Sequence, residues 1–273
     1  MDRLSAIIDR YSLKANVFYA GAPSGTYDFS DKAGVSHLHL VRNGTFDIHQ
    51  SGEPTVRITE PSIVFYPRPL LHRFTIAPGG RAEVVCIEVE FGAGLGNPVL
   101  NALASRVIIP LADIPSLSPV TQLFCDEAFN SRCGRQAAID RLAACLLILL
   151  LRNAIESQLV TGGVLTGLAD PKLAKAITAI HDRPEYNWSV EELAQTAGMS
   201  RARFAAHFRA KIGTTPLDYL TDWRISVAQT LLKTGKSIKL VAPLVGYSHP
   251  SAFARVFTKS LGVSPREWQT KNF

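Results

Sequence analysis

The pattern of hydrophobic and polar positions changes twice along the 273 residues of the chain. Up to about Pro110, short β-branched and aromatic runs alternate with turn residues, which is typical of the strands of a β-sandwich or barrel. Between about residues 115 and 160 the apolar spacing becomes helical, and the stretch GRQAAIDRLAACLLILLLRNAIESQL is apolar nearly all round in its middle. Such a helix has to be buried, either against its own domain or against a partner chain. From Pro171 onwards the pattern is helical.

A glycine-rich stretch, VTGGVLTGLADP, separates the second region from the third and is typical of a linker. We therefore predict two domains, an N-terminal all-β barrel followed by helices and a C-terminal all-α domain. The predicted segments are a barrel over residues 1–112, a helical segment over 113–160 that holds a homodimer together, a linker over 161–171 and an all-α domain over 172–273. The longest apolar run, LAACLLILLL, has ten residues, whereas a membrane-spanning helix needs ~20, so we expect no membrane partner.

The net charge of +6 is unevenly distributed along the chain. From Thr166 to the end there are 15 Lys and Arg against 8 Asp and Glu, whereas the first 165 residues hold 14 and 15. This asymmetry indicates a polyanionic partner for the C-terminal part alone. The four cysteines show no Cys-x-x-Cys spacing, which favours reduced thiols and a cytoplasmic location.

The C-terminal region contains an internal repeat of 48–49 residues. The segment Ser189–Ala194 (SVEELA) matches Ser237–Ala242 (SIKLVA), and Gly198 matches Gly246. The phenylalanine pairs that follow also match, Phe204 and Phe208 with Phe253 and Phe257. We assign these four rings and Trp223 to the core. Each copy predicts a short helix, a glycine turn and a second helix with an apolar inner stripe, which is the helix-turn-helix pattern. Ser189 followed by Glu192 predicts a capping box in the first copy.

Two segments carry a resemblance to a known family: AGMSRARFAAHFRAKIGTTPLDYLTDWRISVAQTLL and VGYSHPSAFARVFTKSLGVSPREW. They resemble the paired helix-turn-helix domain of AraC/XylS-type transcription regulators. The resemblance implies that two helix-turn-helix units, joined by a long helix, place two recognition helices in successive major grooves, ~34 Å apart. It also implies double-stranded DNA of a promoter operator as the partner, with RNA polymerase as a further candidate partner.

The first recognition helix is predicted over residues 201–211. Its outward positions include Ala202, Arg203, Ala206 and Arg209. We expect Arg201, Arg203 and Arg209 to contact phosphates, or one of them to reach a base edge. The small side chains of Ala202 and Ala206 permit close approach and contact with thymine methyl groups.

In the second unit Arg255 lies opposite Phe253 and Phe257, and it is our best candidate for a base contact. His249 and Ser251 lie beside it at the start of the helix, and Lys259 is a candidate phosphate contact. For any one of these arginines the alternative is a solvated helix face. Pro243 falls within the first helix of this unit, where a proline costs ~3 kcal/mol. We therefore expect that helix to be kinked or to begin late.

The N-terminal region contains VSHLHLVRNGTFDIHQ, in which Asn43-Gly44 is a strong hairpin signal. A two-residue turn pairs Val41 with Phe46 and His39 with Ile48, so His37 and His39 share the apolar face and point into the barrel. The same alternation in LLHRFTI places His72 inward with Phe74 and Ile76.

Three inward histidines make this region similar to the cupin-type sensory domain of the same regulators. The resemblance implies that His37, His39 and His72 hold a divalent metal such as Zn, Fe or Ni. The cupin pattern is incomplete, because Asn43 stands where cupin enzymes carry a glutamate and Pro69 replaces a glycine of the second motif. The alternative is that the three histidines line a pocket for a small effector or satisfy hydrogen bonds in the core.

The leading hypothesis is a sequence-specific DNA-binding transcription regulator whose N-terminal domain senses a small effector. The alternative is a cupin metalloenzyme with an accessory DNA-binding domain. The basic region contains no nucleophile–base pair and no glycine-rich phosphate loop, so we assign no catalytic residues and expect no enzyme activity. A nucleoid-type DNA binder without an effector is a third hypothesis, against which the well-formed N-terminal pattern argues.

Overall fold

The computed structural model describes residues 2–11, 13–32, 35–90, 98–157 and 162–271. The chain divides into two compact units, which are treated separately below. The N-terminal unit is Tyr11–Thr161, and the C-terminal unit combines Gly162–Phe273 with Met1–Arg10. None of the helices within the described ranges is both long and apolar enough to cross a membrane.

The N-terminal unit is built on two antiparallel sheets. Its strands are β1 (Lys14–Gly21), β2 (Gly25–Phe29), β3 (Val35–Gly44), β4 (Phe46–Gln50), β5 (Val56–Ile58), β6 (Ser62–Tyr66), β7 (His72–Ile76), β8 (Ala82–Glu90) and β9 (Val107–Pro110). The first sheet has the order β1-β8-β3-β6-β9 and the second the order β2-β7-β4-β5. Apolar side chains from both sheets form one core, which includes Val41, Phe46, Ile48, Phe74 and Val84.

The predicted hairpin at Asn43-Gly44 is wrong. Strand β3 pairs with β6 and β8, and strand β4 pairs with β5 and β7, so the chain passes here from one sheet to the other. Gly44 has a φ of +107°, and a Cβ placed on it would lie 2.3 Å from the Arg81 carbonyl oxygen. The glycine therefore permits a close approach to β8. The inward faces were nevertheless predicted correctly. Val41, Phe46 and Ile48 belong to the core between the sheets, and the rings of His37 and His39 lie 5.9 Å and 4.6 Å from that of Phe29 in the opposite sheet.

In the N-terminal unit α2 (Pro98–Asn101) lies between β8 and β9 in the chain, and α3 (Ser118–Phe129) and α4 (Arg135–Glu156) follow β9. Helix α1 (Ser5–Tyr11) belongs to the C-terminal unit as far as Arg10. Helix α4 packs on β1 at a point where the register of β1 shifts between Val17 and Tyr19. Asp140 accepts a hydrogen bond from the Val17 N–H at 2.9 Å, and Gln136 donates to the Val17 carbonyl at 3.1 Å. The helix thus satisfies backbone groups of β1, which is an edge strand and has a neighbour in the sheet on one side only.

The C-terminal unit is helical. Its helices are α5 (Gly163–Ala169), α6 (Leu173–Asp182), α7 (Val190–Thr196), α8 (Arg201–Ile212), α9 (Pro216–Lys233), α10 (Ile238–Leu244), α11 (Pro250–Leu261) and α12 (Pro265–Lys271). The first ten residues of the chain belong to this unit, and Arg3 donates a hydrogen bond to the Leu168 carbonyl oxygen at 2.9 Å.

Helix α5 occupies the stretch for which we predicted a linker, and three of its apolar side chains, Val164, Leu165 and Leu168, are buried. A Cβ on Gly167 would lie 2.5 Å from Ile177 Cδ1 and 2.8 Å from Ile212 Cδ1. This glycine therefore allows helices to pack closely, and the glycine content that suggested flexibility has a packing role instead.

The sequence repeat is a structural repeat of α7–α8 and α10–α11. The capping box of Ser189 and Glu192 is present, and Gly198 and Gly246 both have a positive φ, of +64° and +80°. Helix α10 has seven residues and begins directly after Ser237, just as α7 has seven and begins directly after Ser189. Of the two effects that we predicted from Pro243, the late start is wrong, because α10 begins directly after Ser237, and the kink stays a prediction. The proline lies in the last turn of α10.

Candidate DNA interface and barrel interior

The two recognition helices, α8 and α11, are anchored in the same way. Phe204 and Phe208 of α8 are fully buried, and so are Phe253 and Phe257 of α11. The ring of Phe208 meets Tyr219 at 5.7 Å, and the ring of Phe257 meets Trp268 at 6.1 Å, in both cases on the helix that follows. The assignment of these phenylalanines and of Trp223 to the core is confirmed.

The opposite face of each recognition helix is open to solvent. The exposed residues that we predicted as DNA contacts are Arg201, Ala202, Arg203, Ala206 and Arg209 in the first unit, and His249, Ser251, Arg255 and Lys259 in the second. Among the described residues none of their basic side chains forms an ion pair. The positive charge of both helices is therefore available to a polyanion.

His207 also lies on α8 but is not free to contact a ligand. Its Nε2 lies 2.6 Å from Asp170 Oδ2, while Asp170 Oδ1 accepts hydrogen bonds from the N–H groups of Lys172 and Leu173 at the start of α6. Hydrogen bonds from His207 and from this backbone lower the pKa of Asp170, against the effect of its partial burial. The contact ties the first recognition helix to the start of α6.

The interior of the N-terminal unit brings the three predicted histidines together. His37, His39 and His72 are buried, and the Nε2 atoms of His39 and His72 lie 2.9 Å apart. His72 Nδ1 lies 2.8 Å from the Leu70 carbonyl oxygen. Because a carbonyl only accepts, His72 Nδ1 carries the proton, and His72 Nε2 accepts from His39 Nε2. His39 Nδ1 is then left as an acceptor.

Aromatic rings enclose this histidine cluster. The ring of His72 is stacked between Tyr66, at 3.8 Å, and Phe29, at 4.8 Å. Burial lowers the pKa of His72 to about 4 and holds the pKa of His39 well below its usual value. The proximity of His37 adds to the lowering in both cases. These two imidazoles are therefore neutral near pH 7, so each has one ring nitrogen that can accept a hydrogen bond.

Several buried polar atoms around the cluster have no hydrogen-bond partner among the described residues. They include His37 Nδ1, His39 Nδ1 and Gln50 Oε1. Gln50 pairs with His72 in the ladder of β4 and β7, so its side chain is on the same face of that sheet. An unsatisfied buried polar group costs ~1–3 kcal/mol, so their grouping in one place makes the cluster a candidate site for a polar ligand or for water.

A groove of about 480 Å³ lies on the outer face of the second sheet, where Thr26, His49 and Thr75 are among its lining residues, and it extends to Gln50 and His72 at the strand ends. Asp28 and Arg73, also in its lining, form a salt bridge with a shortest distance of 2.6 Å. The hydrogen bond from Arg73 lowers the pKa of Asp28. Sequence reasoning missed Gln50, and only the ladder register places it beside the histidines.

The side chains present do not fit a metal centre. Within the described part of the chain no group of three or more His, Cys, Asp or Glu side chains is arranged to hold a metal ion. The 2.9 Å separation of the two Nε2 atoms is that of a hydrogen bond. Asn43, which stands at the position of the cupin glutamate, instead donates to Glu83 at the protein surface at 2.8 Å.

Comparisons with known proteins agree with both units. A family described as Cupin matches residues 2–156, and a family described as Helix-turn-helix domain matches residues 193–271. An uncharacterized HTH-type transcriptional regulator of Haemophilus influenzae is 30% identical over 260 residues, 87% of either chain. The RCS-specific HTH-type transcriptional activator RclR of Escherichia coli is 32% identical over 250 residues, 87% of this chain and 85% of its own.

Among solved structures, the DNA-binding domain of AdpA in complex with a target DNA is 35% identical to this chain, with a TM-score of 0.35. The match covers 37% of this chain and 92% of that one. The two relatives from Haemophilus influenzae and Escherichia coli and the two family matches indicate the same family. The chain belongs to the AraC-type family of helix-turn-helix transcriptional regulators, and a cupin domain precedes its DNA-binding domain.

Proposed function

We propose that this regulator binds one promoter operator through both helix-turn-helix units, as a homodimer, and that a small effector binds inside its barrel. The observation that carries the DNA proposal is the repeat. Two helices bury equivalent phenylalanine pairs and leave basic, unpaired residues on the opposite face. Two such faces on one unit are suited to two successive major grooves.

The proposed contacts differ in what they contribute. We propose that Arg255 of α11 contacts a base edge, with His249 and Ser251 beside it at the start of the helix. Lys259 and the three arginines of α8 (Arg201, Arg203 and Arg209) are placed at phosphates, which fix register without reading sequence. Ala202 and Ala206 leave room for the groove wall and for thymine methyl groups.

Selection of bound duplexes from a random pool by the purified full-length chain tests the DNA proposal. We expect one enriched motif with two half-sites about one helical turn apart for each protomer, nanomolar affinity and a steep loss of affinity with salt. Hydroxyl-radical footprinting on the enriched duplex should show protection at both half-sites. Enrichment of a single half-site, or of no motif, would contradict binding by both units.

For the barrel, the unsatisfied atoms of His37, His39 and Gln50 support a small polar effector in preference to an apolar one. Neutral imidazoles accept hydrogen bonds from hydroxyl or amide groups, and burial keeps His39 and His72 neutral near pH 7. A cupin metalloenzyme is the competing function, and it requires a bound metal and turnover.

One set of measurements separates the effector from the metal. Metal analysis of the purified protein, and thermal-shift titrations with Zn²⁺ and Ni²⁺, test the metal. A panel of small polar metabolites in the same assay tests the effector, with His72→Phe as the control variant. A stabilising metabolite that has no effect on the variant and alters operator affinity supports sensing. Stoichiometric metal that is lost in the variant supports the metal site instead.

Helix α4 supports the dimer. One of its faces is buried within the N-terminal unit, including Ile139, Ala143 and Leu146. Another face carries Leu142, Cys145 and Leu149, which are half-buried or exposed and follow the three-four spacing of a helix–helix seam. Light scattering after size exclusion should give a dimer for the natural chain and a monomer for Leu149→Glu. A dimeric Leu149→Glu, or a monomeric natural chain, would refute the seam.

To control transcription, the bound regulator has to contact RNA polymerase or block its access to the promoter. We propose that it does so in the cytoplasm. In vitro transcription from a promoter that carries the selected motif tests this step. A transcript level that does not respond to the protein would contradict it.

A further inference from the structure

One charged residue of the connecting helix α9 is buried. Arg224 is 8% exposed, whereas arginines are almost never fully buried unless they are paired. In the described structure it forms no ion pair with a carboxylate. Its contacts lie instead with backbone oxygens and an aromatic ring, on two different parts of the DNA-binding unit.

The first set of contacts joins Arg224 to the loop that precedes the first helix-turn-helix unit. Arg224 Nε donates to the Pro184 carbonyl oxygen at 2.7 Å, and Nη2 donates to the Tyr186 carbonyl oxygen at 2.8 Å. Both carbonyls lie in the loop between α6 and α7. That loop is fixed to α7, because Tyr186 donates its hydroxyl hydrogen to Glu192 at 2.8 Å.

The second set leads to the second unit. The guanidinium carbon of Arg224 lies 5.5 Å from the centre of the Tyr247 ring, directly after the glycine turn of α10–α11. A Cβ placed on Gly246 would lie 2.6 Å from Arg224 Nη2 and 2.8 Å from the Glu185 carbonyl oxygen. The turn of the second unit therefore lies directly against both the guanidinium and the loop that leads into the first unit.

The repeat supplies an internal comparison. Gly198 is the equivalent glycine of the first unit, and it has a similar positive φ, +64° against +80°. A Cβ on Gly198 would meet nothing within 4 Å. The glycine of the first unit thus meets only a backbone requirement, whereas Gly246 also leaves room for Arg224.

We propose that Arg224, seated against Gly246, is the joint that fixes the two helix-turn-helix units relative to each other, and so sets the half-site spacing that the protein accepts in DNA. The guanidinium is a planar fork, and it can serve two carbonyls and an aromatic face at the same time, which an ammonium cannot do. Arg224 is accordingly a positioning residue and does not itself touch DNA. The inference rests on the proposed function, in which both units bind one operator.

The test uses the full chain and a set of duplexes derived from the motif that the natural protein selects. In these duplexes the distance between the half-sites is changed by up to about two base pairs, which rotates one half-site by roughly 70° relative to the other. The variants are Arg224→Lys, Gly246→Ala and, as the matched control, Gly198→Ala. Both alanines incur the same backbone penalty, but only the one at position 246 collides with Arg224.

We expect the natural protein and Gly198→Ala to lose at least about tenfold in affinity when the spacing changes, which is about 1.4 kcal/mol. Arg224→Lys and Gly246→Ala should bind the original spacing at least about tenfold more weakly and discriminate between spacings by less than about threefold. A role confined to stability would lower affinity for every duplex in equal proportion and would leave the spacing profile unchanged.

Two results would contradict the proposed role of Arg224. In the first, Arg224→Lys or Gly246→Ala keeps the dependence of affinity on half-site spacing that the natural protein shows. In the second, Gly198→Ala weakens that dependence as much as Gly246→Ala. Thermal unfolding followed by circular dichroism identifies a variant that fails to fold. If Arg224→Lys or Gly246→Ala fails to fold, the spacing dependence of the remaining variant tests the proposal. A natural protein without spacing preference would instead overturn the proposed function, and the joint with it.

Discussion

Arg255 and Lys259 lie one turn apart on the exposed face of α11, yet they are proposed to contribute to binding in different ways. Arg255→Ala should weaken binding to the selected motif by ~1–3 kcal/mol and relax the preference at one position, because a base contact is lost. Lys259→Ala should weaken binding uniformly and reduce the salt slope by about one, because only a phosphate contact is lost. Titrations at several salt concentrations against single-base variants of the motif measure both effects. Two variants with the same specificity profile would contradict this division.

His181 shows what a buried titratable residue does to stability. Its ring stacks on Trp223 at 3.8 Å, its Nε2 lies 2.6 Å from the Tyr219 hydroxyl, and burial lowers its pKa to about 3. Between pH 6.5 and 3 the unfolded chain therefore binds a proton that the folded chain does not. Consequently the free energy of unfolding falls as the pH is lowered through this range.

Urea unfolding of the natural protein and His181→Gln between pH 6 and 4.5 tests this account. Fluorescence reports on the C-terminal unit alone, because all three tryptophans, Trp188, Trp223 and Trp268, lie there. The variant should be less stable at neutral pH, and its dependence on pH should be flatter by about 1.4 kcal/mol per pH unit. Parallel curves for the two proteins would show that another group controls the slope.

At the scale of elements, the repeat offers a matched pair of helix N-caps. Ser189 accepts a hydrogen bond from the Glu192 N–H and belongs to a full capping box, whereas the side chain of Ser237 makes no capping hydrogen bond. Ser189→Ala should cost ~1 kcal/mol of unfolding free energy, and Ser237→Ala should cost much less. Urea unfolding followed by tryptophan fluorescence measures both losses. Equal losses would mean that the cap geometry does not decide the stability of these two helices.

The same elements show which parts of the fold local sequence can predict. The capping box of Ser189 and Glu192, the glycine turn at Gly198 and the buried Phe204 and Phe208 were all correctly predicted, because each gives a signal within about one turn of the chain. The Asn43-Gly44 hairpin was wrong, because β3 and β4 find their partners in different sheets. An alternating pattern fixes which face is inward, and it leaves open which strand lies next to it.

At the scale of the whole molecule, the features that could not be predicted from the sequence depend on tertiary contacts between distant segments. Glycine-rich sequence predicted a linker where α5 packs, because the close approach of Ile177 and Ile212 to Gly167 is invisible in the chain order. The three inward histidines were predicted from alternation, but their hydrogen bond and the neighbouring Gln50 depend on the pairing of distant strands. Arg224 gave no local signal, since both surfaces that it joins come from other elements.

The proposed dimer makes a final prediction at this scale. Cys145 is exposed near the middle of α4, which spans Arg135–Glu156, so an antiparallel pair of α4 helices related by a two-fold axis would bring the two copies of Cys145 together. Mild oxidation with copper phenanthroline should therefore link the chains through Cys145 at micromolar concentration, provided that the sulfurs come within disulfide geometry. Cys145→Ser should abolish the linked species on non-reducing gels, and Cys133→Ser, which removes the other exposed thiol, should leave it unchanged. Two results would place the two-fold axis away from the centre of α4. One is a disulfide-linked species that depends on Cys133, and the other is the absence of any linked species in a protein that is a dimer by light scattering.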